Sequence, residues 1–318
     1  MNICLEGITL KNAKKVLRKR KRDLHITEFQ NTYTTEKDCQ NYLFKLKWPT
    51  GFICPQCGND TYYLVEKRHL YQCTKCKKQN SLTARTLLHR THLPLLKWFW
   101  AIYLVSRDKR GYSALALKNA LNVSYPTAWL LFQKVRTAMA NKDKDYILSG
   151  VAIIDDTYFG GTKSGKKRGR GTEKTKVLVA VSLNKNNRAL FAKMEVVKSL
   201  ESETISKTIT KMVESGSTLR SDAYKSLAGL KDYVHEVTVA SAGLAQAKSV
   251  FKWLNIIVSN AKSSILGTYH GLPEKHLDRY LKEYCYRFNR RFCEHIIFGK
   301  LVNACIITAP ITYAELTL

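Results

Sequence analysis

The sequence is short of acidic residues. It has 25 Asp and Glu against 53 Lys and Arg in 318 residues, which gives a formal net charge of +28. A surface with so few carboxylates attracts polyanions, and contact with phosphates releases the counterions condensed on nucleic acid. Long hydrophobic runs are also missing, because no apolar stretch approaches the roughly 20 residues of a bilayer span. The composition therefore favours nucleic acid over a membrane as the partner.

Two other features are absent. The first 24 residues contain the basic stretch "KKVLRKRKR" but no apolar core followed by a small-residue cleavage site, so we do not expect a secretory signal. The nine cysteines are not spread like a disulfide framework, since four of them cluster between residues 54 and 76. This distribution predicts one metal site in a cytoplasmic protein.

The clustered cysteines form two CxxC knuckles with fifteen residues between them: Cys54, Cys57, Cys73 and Cys76. Each knuckle holds two thiolates on one tight turn, and the stretches "YYLV" and "HLYQ" are predicted strands of a hairpin that brings the knuckles together. Four thiolates at this spacing are typical of a closed, tetrahedral, structural zinc site. We therefore predict one structural Zn²⁺ per chain, with His69 as an exposed strand residue and not a ligand.

A helical region follows between residues 94 and 139. The stretch "PLLKWFWAIYLVSR" has apolar residues at helical spacing, and two further helices are predicted on either side of the turn Asn122–Ser124. This is the outline of a helix-turn-helix, in which Lys134 and Arg136 of the second helix would contact DNA. A pair of helices that merely packs has the same outline, so both interpretations remain open.

Two adjacent carboxylates interrupt an apolar stretch in "VAIIDDTYFGG". We predict a strand that ends at Asp155, then a glycine-rich basic loop, a hairpin, a helix, a fourth strand that ends at Asp222, a fifth strand and a long helix. In a mixed sheet the first and fourth strands can be neighbours, which would bring both carboxylates to one edge. Asp156 would point to the opposite side of the sheet. The basic loop would follow a DNA backbone through Lys163, Lys166, Lys167, Arg168 and Arg170.

Two carboxylates that face each other repel unless cations lie between them. A pair of Mg²⁺ or Mn²⁺ ions removes the repulsion and supports phosphoryl transfer. A single Asp after a strand is more often a helix cap or a turn residue. The two together, in this order of elements and beside a basic loop, favour a metal site.

From about residue 28 to residue 305 the chain resembles bacterial insertion-sequence transposases that join an N-terminal zinc ribbon to a DDE-type, RNase H-like catalytic domain. The resemblance rests on "GFICPQCG", "CTKCKKQNSLTARTLLHRTHLPLLKWFWAIYL", "DDTYFGGTK", "SDAY" and "GTYHGLPEKHLDRYLKEYCYRFNRR". It implies that Asp155 and Asp222 are the first two catalytic aspartates. Asp156 stands where the family usually has Glu.

The third metal ligand departs from the family pattern. Members commonly carry a Glu twelve residues before the Gly of "GTYH"; here that Gly is Gly267, and Asn255 occupies the position. Lys262 matches the family's lysine in the same register. Asn260 is the competing candidate, and on a helix it would point more than about 100° away from Asn255. An asparagine can ligate a hard cation through its carbonyl oxygen but brings no charge, so metal affinity should fall without vanishing.

The resemblance implies an α/β fold: an RNase H-like mixed sheet with flanking helices, preceded by a small zinc ribbon and a helix-turn-helix-like region. We predict a basic extension over residues 1–27, the ribbon over 28–92, the helical region over 93–146, the catalytic domain over 147–305 and a tail over 306–318. In the predicted helix "LPEKHLDRYLKEYCYRFNRR" we expect the basic residues Arg279, Arg287, Arg290 and Arg291 to remain free for phosphate contacts.

The predicted function is that of an insertion-sequence DNA transposase. It would bind terminal inverted repeats and target DNA, work as a homodimer or larger assembly, and reside in the cytoplasm with the bacterial nucleoid. The alternatives are a catalytically inactive or domesticated DNA-binding protein and a structure-specific nuclease of the same fold.

Overall fold

The computed structural model describes residues 24–108, 110–160, 173–222, 230, 232–238 and 249–317. The basic N-terminal extension up to residue 23 lies outside this range, as does the predicted DNA-contacting loop with Lys163, Lys166, Lys167, Arg168 and Arg170. The chain divides into two compact units. One holds the described residues up to Asp108, Ala114–Asn141 and the segment from Cys293 onward, and the other is built mainly from Lys142–Phe292.

The first unit opens with two helices that the sequence analysis did not predict: α1 (Ile26–Thr32) and α2 (Glu36–Lys47). A capping box starts α2, because the Thr35 side chain accepts from the Asp38 N–H while the Asp38 carboxylate accepts from the Thr35 N–H at 2.7 Å. The segment "TEKD" is therefore the local signal that begins this helix.

The ribbon is a three-stranded antiparallel sheet of β1 (Tyr62–Val65), β2 (Leu70–Cys73) and β3 (Gln79–Ser81), in that order. The predicted hairpin is confirmed, and β3 is an addition. One face of the sheet packs on aromatic rings of α2 and the following turn. Tyr71 lies 5.2 Å from both Phe44 and Trp48, measured between ring centroids.

The further helices described in the first unit are α3 (Leu95–Arg107), α4 (Ala114–Leu121), most of α5 (Tyr125–Asp143), α9 (Glu294–Ile307) and α10 (Tyr313–Thr317). The helix, turn and helix of the sequence prediction lie where expected. Asn122 adopts a left-handed φ of 48° in the turn, and the Ser124 hydroxyl accepts from the Thr127 N–H at 3.3 Å at the start of α5.

The C-terminal helix α9 belongs to the first unit. The Phe298 ring packs among Phe29, Tyr33 and Phe99, with centroids 5.3–5.8 Å apart. The predicted boundary at residue 305 therefore differs from the division seen here, because burial of this aromatic face attaches the helix to the N-terminal helices.

The second unit contains a five-stranded sheet in the order β6-β5-β4-β7-β8. Its strands are β4 (Val151–Phe159), β5 (Thr175–Leu183), β6 (Ala189–Val197), β7 (Thr218–Ser221) and β8 (Val234–Val237). Pairing is antiparallel from β4 to β6 and parallel from β4 to β8. The predicted mixed sheet and the neighbouring first and fourth strands are confirmed.

The prediction that the first strand ends at Asp155 is wrong. Strand β4 continues to Phe159, because β5 pairs with it from Val151↔Leu183 to Phe159↔Thr175. Only the pairing with β7 stops early, at Ile153↔Arg220. Asp155 thus lies within a strand but next to the end of its neighbour.

Helices cover both faces of this sheet: α6 (Ser202–Met212), α7 (Lys252–Tyr269) and α8 (Glu274–Asn289). Ile153 and Phe159 of β4 face α7 and α8, whereas Ala152 and Ile154 face α6. A search of the described helices for a bilayer-crossing segment finds none of sufficient length and apolarity.

Candidate catalytic and metal-binding sites

Asp155 and Asp222 lie at the same level of two adjacent parallel strands. The register pairs Ile153 of β4 with Arg220 of β7, which is the last pair of these two strands. Asp155 lies two residues further along β4, and Asp222 directly follows Ser221, the last residue of β7. Neighbouring strands are about 4.8 Å apart. Residues in register on parallel strands share a face, so both carboxylates belong to the face that α7 covers.

Strand alternation separates the two adjacent aspartates. Asp155 shares the α7 face with Ile153, whereas Asp156 shares the α6 face with Ile154. The Asp155 carboxylate also accepts a hydrogen bond from the Asp156 N–H at 2.8 Å, which restrains its rotation. Asp155 and not Asp156 is therefore on the side of Asp222.

A hydroxyl and an imidazole hold the chain next to Asp222. Ser221, only 1% exposed, donates from Oγ to the carbonyl of Asp222 at 2.9 Å. The same Oγ lies 2.6 Å from Nε2 of His235 on β8, so a ring that carries its proton on Nε2 donates to it. The sequence analysis did not select these two residues. A serine and a histidine in separate strands give no local signal, and only the β7–β8 pairing brings them together.

Helix α7 has two flanks that differ in their contacts. Its core side carries Leu254, Ile257, Val258 and Ala261. On one flank the Lys262 ammonium lies 5.5 Å from the centre of the Phe159 ring of β4. Asn255 precedes Lys262 by seven residues, which is about two helical turns, so its side chain points to the same flank.

Asn260 lies on the other flank of α7. It precedes Ser264 by four residues, about one turn, and the Ser264 hydroxyl donates to the carbonyl of Arg110 at 2.8 Å. Both asparagines are exposed. The two candidates for the third ligand therefore point to opposite flanks, and Asn255 is on the flank that approaches β4.

The contacts of α8 with β6 show which part of α8 lies next to Asp155 along the direction of the strands. Asn289 binds both main-chain groups of Ala192 in β6, at 2.8 and 3.0 Å. Lys282 forms an ion pair with Glu195 at 3.5 Å. Through the strand pairings, Ala192 stands level with Ile153 and Glu195 level with Asp156. The segment of α8 from Lys282 to Asn289 thus spans the level of Asp155.

That segment contacts the start of α7. The Tyr284 hydroxyl, within it, donates to the carbonyl of Ile257 at 3.2 Å. Asn255 precedes Ile257 by two residues, which is about 3 Å along the helix axis. Asn255 therefore lies in the part of α7 that is next to this segment of α8.

The four knuckle cysteines converge in the ribbon. Their sulfur atoms all lie within 4.8 Å of one another, with Cys54 to Cys76 at 3.5 Å and Cys57 to Cys73 at 3.6 Å. Tetrahedral zinc with Zn–S bonds near 2.3 Å requires sulfur atoms about 3.8 Å apart. The donor set and its spacing fit zinc.

Both knuckles have the same backbone geometry. Gly58 N–H donates to the carbonyl of Cys54 at 2.9 Å, and Lys77 N–H donates to the carbonyl of Cys73 at 3.1 Å. Gly58 and Lys77 both have a left-handed φ, of 73° and 59°. The Asn59 amide also reaches the Cys73 sulfur at 3.5 Å, an outer contact that orients a ligand.

The position of Arg136 does not fit the predicted DNA contact, because the residue is buried. The residue is 1% exposed, and its guanidinium stacks 3.6 Å from the centre of the Phe132 ring. The side chain is part of the core of α5. Lys134 on the same helix is half-buried, and burial lowers the pKa of its ammonium.

The prediction that the arginines of "LPEKHLDRYLKEYCYRFNRR" remain free is wrong for Arg287, Arg290 and Arg291. Arg290 is 1% exposed and forms a two-bond ion pair with Asp143 at 2.5 and 2.9 Å. Arg287 is buried against Glu283 at 3.3 Å. Arg291 donates to the carbonyls of Ala189, Leu190 and Phe288. All three side chains therefore have their hydrogen-bond or ion-pair partners within the second unit.

Lys262 remains a candidate for DNA contact. Most of its side chain is exposed. Partial desolvation, and after it the charge of Lys174, lowers the pKa of its ammonium. A second cation so close to Phe159 and the start of β5 makes this edge of the sheet electropositive, which favours an approaching phosphate.

The fold combines a small four-cysteine ribbon with a mixed five-stranded sheet flanked by helices, the arrangement of an RNase H-like domain. Residues 147–289 match the model of the ISXO2-like transposase domain, and residues 34–79 match that of the transposase zinc-ribbon domain. Together the two matches cover more than half of the chain. The chain belongs to the insertion-sequence transposases that combine these two domains.

One curated relative is described as a protein in a transposable element. Over 142 residues the chain is 27% identical to an uncharacterized protein in transposable element ISH50 of Halobacterium salinarum. The similarity covers 43% of this chain and 46% of the relative, so the chain spans about half the length of the curated relative it matches.

Proposed function

We propose that this protein is an active DNA transposase that cuts and joins DNA at the ends of its insertion sequence. The observation that supports the proposal is the parallel pairing of β4 and β7, which leads to Asp155 on one strand and to Asp222 directly after the other, on the side of the sheet that α7 covers. We take Asn255 of α7 as the third donor. Two carboxylates and an amide carbonyl form an all-oxygen donor set, which suits Mg²⁺ or Mn²⁺. The ions, two per site, would activate the attacking oxygen and stabilise the leaving one.

In this proposal the chain's own residues supply position and charge. Asp155 is oriented by the Asp156 N–H, and the backbone at Asp222 is fixed by Ser221. Lys262 and Lys134, together with the basic loop, would hold phosphates. Because the third donor is neutral, the site has one negative charge fewer to attract the cations. We therefore expect weaker metal binding than with three carboxylates.

The biological setting is part of the same proposal. The ribbon and the helix-turn-helix would bind the terminal inverted repeats, and the catalytic face would then engage target DNA. Two ends must be joined in one event, so we propose at least a homodimer on DNA. The protein would act in the cytoplasm, at the nucleoid.

A catalytically inactive DNA-binding protein is the second candidate, favoured by Asn255 in place of an acid. A strand-transfer assay with the full chain, duplexes of the element's ends and Mg²⁺ or Mn²⁺ separates the alternatives. We expect cleavage and joined products. Binding without either product would establish the inactive protein, and cleavage without joining would establish a nuclease.

A further inference from the structure

The ribbon sheet has one packed face and one open face. Tyr62 packs on Phe52 at 5.1 Å and on Phe44 at 5.9 Å, between ring centroids. Side chains alternate along a strand, so Tyr63 projects from the opposite face, and it is 65% exposed. The face with Tyr63 is the one that the aromatic core leaves uncovered.

Three residues form a row across this open face. The register pairs Tyr63 with Gln72 and Gln72 with Gln79, one residue from each strand. The Gln79 amide donates to the Gln72 carbonyl oxygen at 3.1 Å. This bond fixes the orientation of both amides. The NH₂ of Gln72 can then donate to a bound molecule, and the carbonyl oxygen of Gln79 can accept from it. Glutamine amides pair with the adenine edge in the major groove of DNA.

Exposed cations frame the row. Lys67 and Arg68 lie in the connection between β1 and β2, and Lys77 and Lys78 lie directly before Gln79. Lys75 in the second knuckle is also exposed. Between Asp60 and Gln79 five basic residues stand against two acids. The charge around this face is complementary to a phosphate backbone.

The width of the sheet suits a DNA groove. Strands about 4.8 Å apart place β1 and β3 about 10 Å from each other, and the major groove is about 12 Å wide. We propose that the row Tyr63–Gln72–Gln79 enters the major groove and recognises bases at the ends of the element, while the framing lysines and Arg68 hold phosphates. The proposal rests on the proposed function, because it names the face with which the ribbon binds end DNA.

The test is a binding selection with the full chain from a pool of duplexes with a randomised centre. The wild type should enrich a motif that contains adenines. The variant Gln72→Ala with Gln79→Ala should lose about tenfold or more in discrimination at one or two positions, with unchanged affinity for the unselected pool. Lys67→Ser with Arg68→Ser should weaken binding to all duplexes and reduce the salt slope by about two. Gln30→Ala, an exposed glutamine on α1, is the matched control and should change neither property.

Zinc content confirms that each variant keeps its ribbon, and the single variant Gln79→Ala replaces the double variant if zinc is lost. If the glutamine variants enrich the wild-type motif with wild-type affinity, the assignment of this face is overturned while the proposed function stands. Wild-type binding without any enriched motif also overturns it. If the wild type does not bind the pool, the proposed function itself fails.

Discussion

Asp155 of β4 and Asp222, which directly follows β7, each lie two residues beyond Ile153 and Arg220, the last paired residues of these parallel strands. The β7 strand stops at Ser221, while β4 continues to Phe159 with support from β5. Asp155 is thus positioned by a strand that is paired with β5, and Asp222 lies directly after the end of β7. This gap in an otherwise paired sheet is where two carboxylates can approach a common cation.

The first prediction concerns these carboxylates. Asp155→Asn and Asp222→Asn should each reduce metal-dependent cleavage by more than the roughly 10–100-fold that loss of an outer partner costs. Asp156→Asn is the matched control, and it should keep most activity because its side chain faces α6. Single-turnover cleavage of end DNA is the measurement. Equal loss in all three variants would refute the assignment of the site to the α7 face.

The second prediction separates the two asparagines of α7. Asn255→Ala should abolish Mg²⁺-dependent strand transfer and leave end binding intact, while Asn255→Glu should keep or raise activity because it restores a charge. Asn260→Ala should stay active, since its side chain shares a flank with Ser264. An active Asn255→Ala beside an inactive Asn260→Ala would show that Asn260 is the ligand.

The third prediction is one zinc per chain. Cys57→Ser or Cys76→Ser should remove the metal and unfold the ribbon, because binding and folding are coupled in small zinc domains. His69→Asn should retain zinc, since His69 is exposed and its left-handed φ of 48° is compatible with asparagine. Metal analysis of purified protein is the measurement. Less than half an equivalent in correctly folded wild type would contradict the prediction.

The fourth prediction concerns the buried pair of Arg290 and Asp143. Arg290→Met leaves a carboxylate without its partner and should cost about 3–5 kcal/mol of unfolding free energy. The double variant with Asp143→Leu should recover much of this loss, because no charge is then left unpaired. Denaturant unfolding gives the energies. A single variant as stable as the wild type would argue against the pair.

The fifth prediction concerns Ser221 and His235. Ser221→Ala should raise the Mg²⁺ concentration for half-maximal activity by about 10–100-fold, as loss of an outer partner does at metal sites. The buried Ser217, just before β7, provides the control Ser217→Ala. A purely structural role would lower the melting temperature and leave the Mg²⁺ dependence unchanged.

The pH dependence tests the same pair. Burial lowers the pKa of His235 below its ordinary value. The unfolded chain therefore binds the proton of His235 more tightly than the folded chain does. The free energy of unfolding consequently decreases as the pH falls from about 6.5, the ordinary pKa of histidine, through the lower pKa of the folded state. His235→Gln retains a donor at the position of Nε2 without titrating. Between pH 7.5 and 5 the melting temperature of the wild type should fall relative to that of this variant. Parallel curves would exclude the proposed burial.

Local patterns in the sequence determined much of this protein. Two CxxC knuckles specify the ribbon because each turn places its own thiolates, and the capping and turn residues around Ser124 specify the helix-turn-helix. Alternating apolar strands and one helix give the order of elements, from which the neighbouring strands with Asp155 and Asp222 follow.

The tertiary structure alone decided which charges are available. Arg136, Arg287 and Arg290 look like surface cations in the sequence, yet all three are buried. Arg136 and Arg287 have partners one helical turn away, and only packing shows that these helix faces are interior. Arg290 pairs with Asp143, which is distant in the chain. Strand β4 passes Asp155 because β5, a distant segment, pairs with it. Ser221 meets His235 across two strands, and the choice between Asn255 and Asn260 depends on how α7 is rotated on the sheet. The pairing of β4 with β5, the contact of Ser221 with His235 and the ion pair of Arg290 with Asp143 join separate elements of the chain, so no local pattern could reveal them.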